Sequence, residues 1–511
     1  LLGRARGARS VRGSKAGVTN HGEPPQTLAD YLWHWERTSP DRLLTSDAAG
    51  ARYTYAEAGA LTRALAAEFA GRGLTPGDRV AVLAENSSVW IITFLAAIGS
   101  GLVAVPLATR LTTTELDAIL DDARPAVIAV DDAMLKSLSD RWRERVLRLS
   151  QPLPADGSGG LLSDARGDAP ACLTYTSGTT GRPKGVLLSN EGMVRASLTY
   201  AALFHSTPAS HTIVAVPLCH NTGFVDQIGH MLAAGGSIEA HRRFDAGAIA
   251  AALTSGACTY FIGVPTMYQR IADHLGAALA CAQSPWLAFG GAPMGSRLIT
   301  RLHELFPQAR LANCYGLSEA TSITHINFLS GDSSATDVGA AVPGTIDRIS
   351  ASGELLVRSP TTMLGYHGDP AATQAKFEDG WLRTGDIATR SDDGIVRVLG
   401  RVDDLINRGG EKVIPHEVEE ALSHHPSIVE AAVVGMPDDH FGSIVAAAVV
   451  TREPVTHADL QRFLQDALAD YKRPSCIAFV DQLPRNENGK VIGSDVRDVI
   501  ERRREAEAAQ Q

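Results

Sequence analysis

The sequence lacks the marks of a disulfide-bonded, zinc-binding or membrane-spanning protein. Its 511 residues include only six cysteines, and no two of them form a CxxC pair. Their scatter favours reduced thiols over a disulfide framework or a zinc site. No run of eighteen uninterrupted apolar residues occurs, so we expect no membrane span.

The sequence also lacks an excess of positive charge. Its formal net charge of −10 argues against a general nucleic-acid-binding protein. The hydrophobic content of 44% is ample for large cores, and the charged content of 20% is ordinary for a soluble enzyme. The length predicts two to four domains. We expect a cytoplasmic protein that is a monomer or a homodimer.

The first 24 residues differ in composition from the rest of the chain. Positive charges, but no acidic residue, occur before Glu23: Arg4, Arg6, Arg9, Arg12 and Lys15. Such an N-terminal segment is typical of a transit peptide or of a disordered leader, and the apolar run of a secretory signal is missing. We interpret residues 1–24 as a disordered basic leader of unassigned role.

Strand and helix patterns alternate through the first part of the chain. Thr54-x-x-Glu57 is a capping box that predicts the start of an amphipathic helix. Buried strands are predicted at 78–83, 103–106 and 126–130, and an apolar helix at 90–98. The alternation returns with strands at 213–216, 259–262 and 286–289 and helices at 225–234 and 265–275. This pattern predicts an α/β fold with largely parallel sheets and flanking helices.

The pattern of apolar and polar residues changes after about residue 345. Residues 353–357 and 394–399 alternate as antiparallel strands do, which predicts a β-rich subdomain. Beyond Arg401 a small α+β unit is expected, with a helix at 415–423, strands at 430–434 and 445–450, and a final polar helix from 495. Residues 151–170 form a polar linker. We expect a large N-terminal domain at 25–402 and a small, mobile C-terminal domain at 403–511.

The most informative segment is 174–186, where five Ser/Thr hydroxyls, three glycines and one lysine fall together. Glycine allows close approach of the backbone to a ligand, and exposed N–H groups with hydroxyls can surround phosphate oxygens. The common P-loop pattern GxxxxGK[ST] is absent. The alternative is a solvated surface loop, but apolar residues flank the segment on both sides.

Six further segments follow this loop in order: 217–220, 290–293, 313–319, 381–386, 400–404 and 484–490. Together with it they resemble the acyl-adenylate-forming (AMP-binding) superfamily of acyl- and aryl-CoA synthetases, stand-alone adenylation enzymes and luciferases. The resemblance covers about residues 27–497. It implies that a carboxylate attacks the α-phosphate of ATP, releases pyrophosphate and forms an acyl-AMP, from which a thiol then displaces AMP.

The resemblance implies ATP, Mg²⁺ and CoA as the small molecules required. Lys490 matches the catalytic lysine, Glu319 the acid that holds Mg²⁺, and Lys184 the lysine of the phosphate loop. Tyr315 would stack on adenine, and Asp386 with Arg401 would bind the ribose. The implied ATP/AMP-binding set is Thr176, Ser177, Gly178, Thr179, Thr180, Gly181, Lys184, Gly290, Gly291, Ala292, Asn313, Tyr315, Gly316, Ser318, Glu319, Asp386, Arg401 and Lys490.

The residues after Pro217 indicate which class of carboxylic acid the protein would activate. His220 stands where relatives gate the acid pocket, and Asn221 stands where amino-acid-activating relatives carry an aspartate. An amide can both donate and accept, and aryl-acid-activating relatives carry His-Asn here, so the resemblance implies a substituted aromatic or otherwise polar-decorated acid. Asp226 either reaches a basic substrate group or pairs locally. The rest of the expected pocket is Phe224, Phe261, Gly263, Met267, Cys314, Thr321 and Ser322.

The acceptor remains open at this point. Asp403 matches the hinge about which the small domain would rotate between the two half-reactions. The residues expected on the thiol side are Arg408, Gly409, Gly410, Lys472 and Arg473. CoA is the expected acceptor, with a carrier-protein thiol, an amine, or nitrite activation in place of a carboxylate as alternatives. A nucleotide-binding regulator without chemistry is the non-enzyme alternative.

Overall fold

The computed structural model describes residues 24–48, 50–150, 165–176, 183–276, 284–329, 336–485 and 491–508. The basic leader, most of the predicted linker, residues 177–182 of the phosphate loop, Cys281 and Lys490 lie outside these ranges. Among the described residues, the five cysteines form no disulfide bond. Among the described helices, none combines the length and the apolar character needed to cross a membrane.

Helices and strands alternate as the sequence predicts. The helices are α1 (Leu28–Thr38), α2 (Tyr55–Gly71), α3 (Ser88–Gly99), α4 (Thr113–Ala123), α5 (Asn190–Leu203), α6 (Asn221–Gly223), α7 (His230–Ala234), α8 (Ala246–Ser255), α9 (Pro265–Leu275), α10 (Ser296–Leu305), α11 (Pro370–Ala375), α12 (Pro415–Ser423), α13 (His457–Leu464) and α14 (Gly493–Ala508), with a π-helix (Phe224–Gly229) between α6 and α7.

The strands of the N-terminal part are β1 (Leu43–Asp47), β2 (Arg52–Thr54), β3 (Arg79–Leu83), β4 (Val103–Pro106), β5 (Val127–Val130), β6 (Val146–Arg148), β7 (Pro170–Thr176), β8 (Lys184–Ser189), β9 (His211–Val214), β10 (Ser237–Ala240), β11 (Tyr260–Gly263), β12 (Trp286–Gly290), β13 (Arg310–Gly316), β14 (Ile323–Phe328), β15 (Asp337–Ala341), β16 (Ile346–Ile349), β17 (Glu354–Arg358), β18 (Gly365–Tyr366), β19 (Phe377–Glu378), β20 (Trp381–Arg390) and β21 (Val396–Arg401). Beyond them lie β22 (Ile406–Arg408), β23 (Glu411–Val413), β24 (Ile428–Asp438), β25 (Gly442–Thr451) and β26 (Cys476–Phe479).

Two large sheets form the N-terminal part. One has the order β16-β17-β20-β21-β15-β14-β13-β12-β11-β9-β10-β1-β2, with β19 beside β20. Its strands from β13 through β1 are parallel, and those from β14 through β16 are antiparallel. The second has the order β18-β8-β7-β4-β3-β5-β6. The predicted α/β fold and the antiparallel β-rich region are therefore both present.

Helix α3 packs inside the core that joins the two sheets. Every residue of α3 except Val89 is buried, and its side chains share one core with strands of both sheets. A helix that is apolar all round must be buried on every side, which explains why the Ser88–Gly99 segment has no polar face. The capping boxes at Thr54 and Thr112 start α2 and α4 at the expected hydrogen bonds.

The C-terminal elements form a smaller α+β unit. β22 and β23 make a hairpin, and β24, β25 and β26 make a sheet with cores on both faces. Asp403 lies in the turn between β21 and β22. The domain boundary at 402/403 and the hinge stay predictions.

One predicted strand is displaced. The strand expected at 213–216 ends at Val214, because the chain then leaves the sheet in a loop that leads to His220. The Asn86 side chain holds this loop, since its Nδ2 donates to the Val216 carbonyl at 2.8 Å and its Oδ1 accepts from Leu218 N at 3.0 Å. The helix expected at 225–234 begins earlier, at Asn221, and passes through the π-helix.

Candidate active site

The predicted nucleotide residues meet at the carboxyl ends of β12 and β13. The Tyr315 hydroxyl, at the end of β13, donates to Asp386 Oδ2 at 2.5 Å. Arg401 Nη1 donates to the other oxygen, Oδ1, at 3.0 Å. Asp386 and Arg401 are direct partners across β20 and β21. The structure thus joins three predicted residues from three strands in one hydrogen-bonded group.

This group is held in a buried setting. Asp386 is 7% exposed, and its backbone N–H donates to the Thr384 hydroxyl at 3.0 Å. Burial, together with the neighbouring Asp386 charge, raises the pKa of the Tyr315 hydroxyl. Gly385 has φ +80°, and a Cβ there would lie 2.9 Å from Arg401 Nη2, so glycine is required at this position.

Glu319, the predicted magnesium ligand, lies in a short turn after β13. The Tyr366 hydroxyl donates to Glu319 Oε1 at 2.6 Å, and Lys376 Nζ lies 3.8 Å from the same oxygen. Lys184 Nζ, at the start of β8, sits 5.5 Å from the centre of the Tyr366 ring. Tyr366 therefore links the predicted metal ligand to the predicted phosphate lysine, across the pairing of β18 with β8.

The residues present fit a magnesium ion that is shared with phosphate oxygens. Mg²⁺ is usually bound by one or two carboxylates together with substrate phosphates and water. Within the described ranges no group of three His, Cys, Asp or Glu side chains could hold a metal by itself. Glu319 would supply the single protein carboxylate that such an arrangement needs.

The turn that carries Glu319 folds back tightly on itself. A Cβ on Gly316 would collide with the Ser322 carbonyl, so only glycine fits there. Thr321 adopts φ +65°, which is uncommon for a residue with a side chain and marks functional sites. Its hydroxyl donates to the Thr361 carbonyl at 2.5 Å, which holds this conformation.

Asn221 joins the acid side of the site to the same turn. Its Nδ2 donates to the Thr321 carbonyl, while its Oδ1 is buried and has no hydrogen-bond partner among the described residues. His220 immediately precedes it as the N-terminal cap of α6. The amide therefore keeps its Oδ1 acceptor and the second hydrogen of Nδ2, so both parts of the dual role expected from the sequence stay open.

The other expected pocket residues differ in their surroundings. Phe224 is fully buried with its ring 5.3 Å from that of Phe94, and Phe261 is fully buried with its ring 5.7 Å from that of Tyr268. A Cβ on Gly263 would lie 3.2 Å from both Met267 Sδ and Phe261 Cε1. Both phenylalanines belong to hydrophobic cores, so core packing accounts for their burial and their place in the acid pocket stays a prediction.

The remaining predicted residues are placed as follows. Gly290 ends β12 beside Cys314 of β13, and Gly291 and Ala292 follow it. Asn313 Nδ2 donates to the Asp337 carbonyl at 3.0 Å. Ser318 opens the turn of Glu319, and Thr176 ends β7. Lys490 and residues 177–182 lie outside the described part of the chain.

The expected thiol-side residues form a separate group in the C-terminal unit. Arg408 lies over the Phe441 ring at 4.8 Å, and Gly409 N donates to the Phe441 carbonyl at 2.8 Å. Lys472 pairs with Glu417 at 2.6 Å, and Arg473 pairs with Asp470. Gly410 closes the hairpin turn. In the described residues, no hydrogen bond links this group to Asp386, Tyr315 or Glu319.

Sequence reasoning missed Tyr366, Lys376 and Asn86. Tyr366 and Lys376 act on Glu319 from 47 and 57 residues further along the chain, so no local pattern marks them. Their only signal is residue type, an aromatic ring between Gly365 and Gly368 and a lysine in a polar stretch.

Comparison with known families now adds to this geometry. Residues 32–367 match the AMP-binding enzyme family, and residues 417–490 match the AMP-binding enzyme C-terminal domain. The feruloyl-CoA synthase of Amycolatopsis sp. is 33% identical over 470 residues, which cover 88% of this chain and 94% of that protein.

Solved structures agree in fold. ATP-bound MatB from Rhodopseudomonas palustris superposes with a TM-score of 0.83 at 30% identity, covering 93% of this chain and 98% of that one. The o-succinylbenzoate CoA synthetase MenE from Bacillus subtilis, in complex with its acyl-adenylate, gives a TM-score of 0.81 at 25% identity, covering 92% and 98%. The predicted fold, the resemblance and the enzyme class, an AMP-forming acid–thiol ligase, are confirmed. The chain is a member of the AMP-binding enzyme family.

Proposed function

We propose that the protein activates a carboxylic acid with ATP, forming an acyl-AMP and pyrophosphate, and then transfers the acyl group to CoA with release of AMP. The observation that supports this proposal is that two residues with predicted functions, Tyr315 and Glu319, lie on one short stretch that runs from the end of β13 into the turn after it. Tyr315 is bonded to Asp386, and Glu319 is linked through Tyr366 to Lys184.

The residues would divide the nucleotide between them. Asp386 would accept hydrogen bonds from the ribose, because each carboxylate oxygen keeps accepting capacity beyond its bond to Arg401 or Tyr315. Lys184 and the loop after Thr176 would hold the β- and γ-phosphates, and Lys490 the α-phosphate and the substrate carboxylate. Magnesium, when bound at Glu319, would neutralise phosphate charge.

The acid is proposed to be a substituted aromatic or otherwise polar-decorated carboxylic acid. The unpartnered Oδ1 of Asn221 supports a substrate that donates a hydrogen bond in the pocket. Two relatives point in the same direction, since feruloyl and succinylbenzoyl groups are aromatic and carry oxygen substituents.

The second half-reaction is proposed to involve the C-terminal unit. Rotation about Asp403 would replace Lys490 at the site by the Arg408-Gly409-Gly410 turn, with Lys472 and Arg473 receiving the thiol substrate. Relatives that are CoA ligases favour CoA. A carrier-protein thiol would meet the same residues, so it stays the alternative acceptor.

The decisive experiment is a screen of carboxylic acids with ATP and Mg²⁺, with and without CoA. Pyrophosphate release that depends on the acid, followed by AMP release that depends on CoA, is the expected result. Acid-dependent pyrophosphate release without CoA-dependent turnover would favour a carrier protein or another acceptor. Absence of acid-dependent pyrophosphate exchange with every acid, despite ATP binding, would favour a nucleotide-binding regulator.

A further inference from the structure

A cluster of buried polar side chains adjoins the acid side of the site, and we call it the polar floor: Tyr200, Asp226, Tyr260 and Ser322. It touches the expected pocket at two points. Ser322 follows Thr321, whose carbonyl accepts from Asn221, and the Thr222 hydroxyl next to Asn221 bonds with the Asp226 carboxyl.

The Asp226 carboxyl lies at the centre of the floor. It is 4% exposed, and it accepts from the Ser322 hydroxyl. The Tyr200 and Thr222 hydroxyls complete its partners, with Tyr200 Oη 3.5 Å from Ser322 Oγ. All of these partners are uncharged, and no cation pairs with Asp226 in the described part of the chain. A buried carboxyl normally has such a cation.

The other titratable groups of the floor supply no positive charge. His230 Nδ1 faces the Asp226 backbone carbonyl at 3.2 Å, and burial lowers the pKa of His230 to about 3, so its ring is neutral. Burial raises the pKa of the neighbouring Cys314, Tyr200 and Tyr260. The surroundings of Asp226 are therefore neutral at physiological pH.

Two further polar atoms here have no partner among the described residues. They are the Tyr260 hydroxyl and Asn221 Oδ1, both buried. The Tyr260 ring lies 4.6 Å from that of His230, whose Nδ1 faces the Asp226 backbone carbonyl at 3.2 Å, so Tyr260 packs next to the turn that carries Asp226. Most buried polar groups in folded proteins are hydrogen-bonded, so each exception requires an explanation.

The backbone that carries Asp226 is itself unusual. Phe224–Gly229 is a π-helix, a conformation that is rare and often occurs at functional sites. Its far end packs closely on α5, since a Cβ on Gly229 would collide with Ser197 Oγ. The π-helix fixes Asp226 against Ser322 and Tyr200 rather than toward solvent.

We propose that the polar floor binds a hydrogen-bond donor, a hydroxyl or amino group, carried by the substrate acid away from its reacting carboxylate. This inference rests on the proposed function. In its ionised form the Asp226 carboxyl accepts hydrogen bonds and would repel a carboxylate, so the floor would meet another part of the substrate. A donor group on the substrate could bond to the Asp226 carboxyl, which can accept further hydrogen bonds. It would also supply a partner for Asn221 Oδ1 or for the Tyr260 hydroxyl, which have none among the described residues.

The test compares matched acids that differ only in a donor: benzoic and cinnamic acids with and without a ring hydroxyl or amino group. The wild-type enzyme should prefer the donor-bearing member by about tenfold or more in kcat/KM, since a site that hydrogen-bonds a substrate group discriminates against analogues without it. Asp226→Leu should bring this ratio close to one.

Tyr260→Phe gives the sharpest readout, because it removes a hydroxyl with no partner in the described protein. It should lower the ratio by roughly three- to tenfold without loss of thermal stability. Tyr31→Phe is the matched control, since the Tyr31 hydroxyl in α1 is also buried and unpartnered. It should leave the ratio unchanged.

The outcomes separate the two proposals. A ratio that stays at the wild-type value in folded Tyr260→Phe and in Asp226→Leu, or in Asp226→Ala if Asp226→Leu does not fold, overturns the polar floor and leaves acid activation standing. Equal loss of kcat/KM for both members of each pair assigns Asp226 a purely structural role and also overturns it. Failure of every acid in the wild-type enzyme overturns the proposed function itself.

Discussion

Two buried aspartates belong to the nucleotide part and the acid part of the proposed site, and their surroundings differ in charge. Asp386, on the nucleotide side, is 7% exposed and is bonded to the guanidinium of Arg401. Asp226, on the acid side, is 4% exposed and is bonded only to hydroxyls. The first carboxyl has a permanent counter-charge, and the second has none among the residues that the structure describes.

The difference indicates what each side can recognise. The Asp386 carboxyl is held in position by Arg401 and presents an acceptor at a fixed place, which suits a ligand group that never varies, such as a ribose. Burial raises the pKa of Asp226 to about 7, so its state depends on pH and on what occupies the pocket. The acceptor on the nucleotide side is therefore preorganised, whereas the protonation state of the acceptor on the acid side can change.

The largest expected effect comes from Lys490, where the two sides would meet. Lys490→Ala should lower acid-dependent pyrophosphate exchange by about a hundredfold to a thousandfold, because a positive charge is removed from developing transition-state charge. Conversion of supplied acyl-adenylate to thioester should be largely retained. Measuring both half-reactions on one preparation checks this. Equal loss of both would contradict the role of Lys490.

On the nucleotide side, Asp386→Ala should raise KM for ATP by roughly ten- to a hundredfold, because it removes a charged hydrogen-bonding group and leaves Arg401 without its partner. KM for the acid should change much less. Steady-state kinetics with each substrate varied in turn measures this difference. A comparable change in KM for the acid would remove the functional separation of the two sides.

On the acid side, Asn221→Leu should shift preference toward unsubstituted acids by about tenfold in the ratio of kcat/KM values, since Oδ1 is lost as an acceptor. KM for ATP should stay near the wild-type value. An unchanged acid profile would take Asn221 out of the pocket.

The smallest effect concerns stability and pH. Because the pKa of Asp226 is raised in the folded state, folding favours its protonated form, and wild-type stability should fall as pH rises from about 4 to 7. Asp226→Asn should remove this fall. The free energy of unfolding of the variant should therefore rise relative to that of the wild type by up to a few kcal/mol between about pH 4 and pH 7. Denaturation midpoints at pH 5 and pH 8 provide the measurement. A parallel pH dependence in both proteins would show that the carboxyl titrates normally.

Local signals predicted most of the fold. The helices at 265–275 and 415–423 begin and end where the sequence places them, and each starts with proline, which is preorganised for the first helical turn. The capping box of Thr54 and Glu57 behaves likewise. Such signals lie within a few residues of the structure they specify.

The arrangement of the site depended on distant pairings. The Tyr315–Asp386 bond spans 71 residues, and the Tyr366–Glu319 bond spans 47. The family motifs named Tyr315, Asp386 and Glu319, but not the bonds between them. The π-helix was also out of reach, because its apolar pattern resembles that of an α-helix and it differs only in how the backbone bonds. The sequence therefore identified Asp226 as a candidate pocket residue but did not predict which hydroxyls would bond to its carboxyl.

The π-helix has a consequence for how this family member can change. One extra residue in a helical turn rotates everything beyond it by about 100°. Deleting a single residue within Phe224–Gly229 would restore an α-helix and turn Asp226 away from Ser322, while β11 and the nucleotide side stay as they are. If Asp226 contacts the substrate as proposed, such a change of length would alter substrate preference with no pocket side chain replaced.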